Sequence, residues 1–128
     1  MKSLLLALCI ALALSACAED QNTSETATAP VIEPSAQDIK RADNAEPQDP
    51  ALAALYNRSC RTCHGVEGMN APLTLHTAAW QHRLDQRSAQ GLLQSARDGY
   101  QTMPAMGLCN DCSDADFNAL IQFMSHGD

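Results

Sequence analysis

Large rings are scarce in this chain, with one Trp, two Tyr and two Phe among 128 residues. That scarcity excludes a core built on aromatic side chains, and the length excludes a multi-domain enzyme. Cations are scarce too, eight Lys and Arg against fifteen Asp and Glu, for a formal charge of -7. Neutralising a phosphate backbone needs clustered cations, so no nucleic-acid partner is expected. Six Gly and six Pro are too few for a fibrous chain. No segment recurs at a solenoid period, and no apolar run approaches the ~20 residues of a spanning helix. Cysteine is what the chain does have, at positions 9, 17, 60, 63, 109 and 112.

Met1-Lys2 is followed by an unbroken apolar run from Leu4 to Leu14, 11 residues, the length of a signal-peptide core. The run closes in Leu14-Ser15-Ala16-Cys17, which resembles the bacterial lipobox. The resemblance implies that residues 1–16 leave as a lipoprotein-type signal peptide and that Cys17 takes a diacylglycerol thioether and an acylated amino terminus. An ordinary secretory peptide is the competing reading. Several acyl chains, at about 0.8 kcal/mol per buried CH₂, anchor a protein stably in a bilayer. By the same resemblance, Ala18 rather than Asp after Cys17 points to the outer membrane, with the protein on the periplasmic side.

Residues 18–50 hold four prolines (Pro30, Pro34, Pro47, Pro50), and Val31, Ile32 and Ile39 are their only large aliphatics. Such a stretch buries too little apolar surface to offset its ordering entropy, so residues 17–50 read as lipidated Cys17 plus a disordered acidic linker. Eight acids against Lys40 and Arg41 put most of the negative charge there. The folded domain is expected over 51–128. Asp49-Pro50 supplies an N-cap and a first-turn proline ahead of Leu52, Leu55 and Tyr56 at helical spacing. Thr77 is placed to cap a helix bearing Trp80 and Leu84, and Ser88 one bearing Leu92, Leu93 and Ala96, closed by Gly99. Ser113 and Asp116 resemble a capping box before Phe117, Leu120, Ile121 and Met124 at i, i+3, i+4 and i+7. No strand-period alternation appears, and the domain reads as all-α.

Cys60-Arg61-Thr62-Cys63-His64 is the C-x-x-C-H pattern of covalent haem c attachment. Two thiols about one helical turn apart can add to two vinyl groups on one porphyrin edge, and the adjacent imidazole then reaches the iron. Covalent attachment suits a domain too small to hold a haem firmly by burial alone. Three readings compete. A zinc site shared with Cys109-Asn110-Asp111-Cys112 would have to bridge far more chain than a zinc ribbon does. A thioredoxin-like dithiol wants a βαβ context, and a plain disulfide leaves His64 without a role. A filled sixth iron position makes an electron carrier, whereas an open one makes a sensor, gas binder or peroxidase. The downstream candidates are Met69, His76, His82, Met103, Met106, Met124 and His126. Met124 falls on an apolar helix face, His82 reads as surface, and His126 is near the terminus. Met103 stands out because Pro104 enforces extended backbone after Gly99-Tyr100-Gln101-Thr102, so that a loop carries the sulfur.

From Tyr56 to Met124 the chain resembles a small bacterial class I c-type cytochrome of the cytochrome c5 kind. Tyr56, Cys60, Cys63, His64, Ala71-Pro72, Trp80, Arg83, Gly99, Met103-Pro104, Gly107, Cys109 and Cys112-Ser113-Asp114, closed by Phe123-Met124, follow that family's order. The resemblance implies a cytochrome c fold, four to five short helices around one covalently bound haem c. It implies His64 and Met103 as axial iron ligands, Cys60 and Cys63 as thioether attachments, and a Cys109–Cys112 disulfide near the ligand loop. It further implies that the Pro72 carbonyl accepts from Nδ1 of His64, and that Trp80 and Arg83 lie near the haem propionates. Ala105-Met106 departs from the family's proline and lysine. Met106 can therefore compete for iron, and a cation is lost from the haem-edge surface. The loop Leu73 to Ala79 is more apolar than usual, with His76 as an added candidate ligand or titrating group.

The expected function is single-electron carriage between transient redox protein partners, not enzymatic turnover. The alternative is a haem sensor or peroxidase-like module with a labile sixth ligand. Five Arg against seven acids in the domain give too weak a field to identify a partner.

Overall fold

The computed structural model describes residues 32–128. The expected signal peptide over 1–16 and the lipidated Cys17 lie outside the described residues. Within them the order is α1 (Ala36–Asp43), α2 (Pro50–Arg58), α3 (Arg61–His64), α4 (Thr77–Asp98), a 3₁₀ turn (Ala105–Leu108) and α5 (Asp114–His126), with no strand among the described residues. The all-α class is as expected.

Helix α1 corrects the expectation of a disordered linker as far as residue 50. Ser35 and Asp38 form a capping box. The Ser35 hydroxyl accepts from the Asp38 N–H at 3.2 Å, and the Asp38 carboxylate accepts from the Ser35 N–H at 2.9 Å. Ala42 and Ala45 are buried. Arg61 donates to the Asp43 carbonyl, and the Asn57 amide donates to the Glu46 carboxylate at 3.0 Å. A search for large aliphatics misses such a segment, because alanine favours helix and lets a backbone pack closely without contributing a large side chain. The earlier part of the linker, 17–31, lies outside the described residues.

The other helices begin where local chemistry starts them. In α2 the Asp49 carboxylate accepts from the Leu52 N–H at 2.8 Å, with Pro50 in the first turn. The run α4 is broken at Ser88 (φ 60, ψ 169), whose hydroxyl accepts from the Gly91 N–H at 3.4 Å, so the expected second helix starts there. The expected Thr77 cap is corrected by one residue: His76 holds the N-cap position and makes no side-chain capping bond. In α5 the Ser113 N–H donates to the Asp116 carboxylate at 2.8 Å and the Asp116 N–H to the Ser113 hydroxyl at 3.3 Å, completing the capping box.

The core joins Tyr56, Trp80, Leu92, Leu93, Phe117, Leu120, Phe123 and Met124 with Cys109 and Cys112. Tyr56 meets Phe123 edge-on at 5.0 Å between ring centroids, and its hydroxyl shares a 2.9 Å hydrogen bond with Thr74. A buried phenol thus keeps a polar partner. Packing of α5 against α4 and α2 brings the α3 turn, the loop after it and the loop after α4 around one cleft. Among the described residues no helix is long and apolar enough to cross a membrane.

Candidate cofactor site

A single helical turn, α3, sets the spacing of the motif. It is closed by the His64 and Cys63 N–H groups donating to the Cys60 carbonyl at 2.9 and 3.2 Å. Cys60 and Cys63 carry no disulfide and line the same cleft as His64. Burial pushes the Cys60 thiol above its ordinary value, which keeps it protonated.

His64 is 7% exposed. Its Nδ1 pairs with the Pro72 carbonyl at 2.8 Å. A carbonyl only accepts, so Nδ1 carries the proton and Nε2 keeps its lone pair. Burial is the main cause holding the imidazole below its ordinary value, with the Pro72 bond acting the other way. The result is a neutral ring, the form that binds metal. The Thr74 N–H donates back to the His64 carbonyl at 2.8 Å. The Trp80 ring stacks on the imidazole at 5.5 Å and 27°, and its indole N–H donates to the Leu73 carbonyl at 2.9 Å. Trp80 therefore lines the cleft as a wall for His64, with its one donor taken by the chain and not available to a propionate.

The loop after α4 supplies Met103. Tyr100 and Met103 exchange backbone hydrogen bonds, at 3.0 and 2.9 Å. Gly99 sits at φ +86, and a Cβ there would lie 3.0 Å from both the Met103 carbonyl oxygen and the Ala105 nitrogen, so only glycine fits. Met103 lines the cleft, with its Cε packed against Gly107. Met106 adopts a left-handed backbone (φ 60) and packs on the core outside the cleft lining. Cys109 and Cys112 form a disulfide with Cα atoms 5.3 Å apart, which removes that pair from any zinc site shared with Cys60 and Cys63. Arg58 pins the turn between them, donating to both Asp111 carboxylate oxygens at 2.8 and 2.9 Å.

The remaining candidates separate by position. Met69 lines the cleft but is 44% exposed, and Met124 lines it from the core. His76 is buried outside the lining. His82 pairs with Gln86 at 2.8 Å, and His126 with Ser125 at 2.7 Å. Arg83 lines the cleft, donating to the Ala79 carbonyl at 3.1 Å, and burial pulls it below its ordinary value. Arg87 lines the cleft as well. Reading the motif alone misses Arg87, although its four-residue spacing from Arg83 puts both on one helix face.

Two unbonded thiols, a neutral imidazole, a thioether and two cations in a mostly apolar cleft are the donor set a haem c requires. Among the described residues no group of three or more His, Cys, Asp and Glu could hold a bare metal ion. Iron brought in by a macrocycle fits this cleft, and the site defines a c-type cytochrome.

A family model described as cytochrome c oxidase, cbb3-type, subunit III, matches residues 47–124. Cytochrome c5 of Ectopseudomonas mendocina is 42% identical over 69 residues, 53% of this chain and 79% of that one. Cytochrome c5 of Azotobacter vinelandii is 42% identical over 67 residues, 52% of this chain and 81% of that one. The chain belongs to the small class I c-type cytochromes of the cytochrome c5 kind, carries covalently bound haem c and serves in electron transfer.

Proposed function

We propose that the domain over 51–128 carries single electrons between redox partner proteins through an iron held by His64 and Met103. The observation that carries this reading is the meeting of His64, Met103 and two free thiols in one cleft, whose other thioethers are the exposed Met69 and the core residue Met124, with Met106 outside it. The bound haem supplies a one-electron iron couple. Cys60 and Cys63 would hold it covalently through their free thiols. His64 presents Nε2 because the Pro72 carbonyl occupies Nδ1. Met103 donates a thioether, which favours Fe(II) relative to a second imidazole. Leu92, Phe117 and Leu120 keep water from the cleft and disfavour the extra charge of Fe(III). Were His64 and Met103 both to hold the iron, no position would remain for a substrate, which makes the protein a carrier and not an enzyme.

The apolar run Leu4–Leu14 and the lipobox-like Leu14-Ser15-Ala16-Cys17 support export and anchoring by an acylated Cys17 on the periplasmic side, at the outer membrane. Partners then dock transiently, as redox contacts do. The parent chain is expected to take up labelled fatty acid and the Cys17→Ser chain to take up none, and equal labelling of both would refute the anchor.

The ligand assignment is tested on haem-loaded whole chains. Met103→Ala is expected to become high-spin and bind carbon monoxide, while Met106→Ala keeps the parent spectrum. The opposite pattern moves the ligand to Met106. Ready carbon monoxide binding by the unsubstituted protein would instead favour a haem sensor or peroxidase-like module.

A further inference from the structure

Arg41, Arg58 and Arg97 each pair with a carboxylate. Arg83 and Arg87, on the cleft wall, pair with none among the described residues, and no Asp or Glu lines the cleft. Arg87 Nε is buried with no hydrogen-bond partner, and a buried charged donor is stable only when its partner is present. The guanidinium carbon of Arg87 lies 4.1 Å from the centre of the Tyr100 ring, within cation–π range. Tyr100 in turn is tied to Met103 by two backbone bonds.

We infer that Arg87 binds one of the two haem carboxylates and, through its stack on Tyr100, fastens the Met103 loop to α4. Two cations four residues apart on one helix face match two carboxylates on one edge of the cofactor, and Arg83 takes the other. Arg87 is thus a carboxylate-binding residue with one part of its side chain and a positioning residue with another. This rests on the His64–Met103 reading. It adds a coupling that the ligand set alone does not contain: the strength of the sixth ligand depends on a residue that never touches iron.

The experiment uses the whole haem-loaded chain and reads the reduction potential between pH 5 and pH 9 together with carbon monoxide binding. In Arg87→Gln the bare carboxylate titrates nearer neutrality, so a flat potential becomes pH-dependent. Loss of the cation also raises the Fe(III):Fe(II) ratio at fixed ambient potential by about tenfold, roughly 59 mV for a one-electron couple. Carbon monoxide binding becomes measurable in the same variant. Arg87→Met, which keeps the apolar stem, is expected to behave alike and serves if the Gln variant does not accumulate, while Arg87→Lys restores the flat profile. Tyr100→Leu keeps the parent pH profile but gains carbon monoxide binding. Arg97→Gln, which removes a cation from α4 at an Asp114 pair outside the cleft lining, changes neither readout. A parent-like potential and pH profile in both Arg87→Gln and Arg87→Met overturns the carboxylate role. Parent-like resistance to carbon monoxide in Tyr100→Leu overturns the fastening role. Failure of the underlying ligand reading shows differently, as a Met103→Ala protein that stays low-spin.

Discussion

The two proposed iron ligands, His64 and Met103, are held by different means. His64 sits on a helical turn, and its ring is fixed by the Pro72 carbonyl and the Trp80 face. Those partners come from the loop after α3 and from α4. Met103 sits on a loop whose backbone turns through left-handed Gln101, Met106, Gly107 and Leu108. It is kept in place by backbone bonds to Tyr100, by Gly99 and by a disulfide six residues further on. One end is fixed by contacts to the ring itself, and the other by the backbone path of its loop. On the proposed ligation, ligand strength is most easily tuned at the Met103 end, because left-handed residues and cross-links can be altered there without touching the attachment motif.

Removing the ring at the His64 end has the largest expected effect. His64→Ala should abolish haem staining on a denaturing gel, whereas Pro72→Ala should retain it, since the acceptor is a main-chain carbonyl. Equal loss in both would show that the proline ring, not the bond, holds the imidazole.

The Met103 end should break more gently. Replacing Cys109 and Cys112 by Ser removes a short cross-link worth about 2 kcal/mol, read from the denaturant midpoint. It should also admit carbon monoxide while haem staining persists. A disulfide-free protein that loses covalent haem would contradict the separation of the two ends. Gly99→Ala forces a left-handed residue into 3.0 Å contacts with the Met103 and Ala105 backbone, and about 1–3 kcal/mol of destabilisation with loosened Met103 ligation is expected.

The smallest effect sharpens the contrast from outside the site. Ser113→Ala removes the α5 cap at a cost of about 1 kcal/mol and should leave carbon monoxide resistance unchanged. The hydrogen bonds of Ser113 hold the Asp116 carboxyl below its ordinary value. A depressed folded-state value stabilises above the ordinary carboxylate range and is lost as pH falls through the folded value. The parent protein should therefore lose stability on acidification, and the Ser113→Ala protein should lose less, because the main-chain N–H at 113 still donates to Asp116.

What could be read from residues alone is what near neighbours encode. The attachment turn, the Asp49 and Ser113 caps and the apolar face of α5 are encoded by near neighbours, and each lies where the pattern puts it. Helix α1 was not legible, because buried alanines and polar ties to α2 and α3 replaced the large aliphatics that signal packing. Arg87 was not legible either. Its importance lies in an unpartnered buried nitrogen and a distant tyrosine face, and neither has a sequence pattern. The choice between Met103 and Met106 sits between these cases. Pro104 marks the loop, but only the left-handed backbone at Met106 turns that side chain away from the cleft.

The sulfur that binds iron can be identified directly by proton NMR of the reduced, diamagnetic holo protein. A methionine methyl held over the porphyrin is moved far upfield by the ring current. That resonance is expected in the parent and in Met106→Leu, and it should vanish in Met103→Leu. Its persistence in Met103→Leu, or its loss in Met106→Leu, would contradict the assignment of Met103 as the sixth ligand.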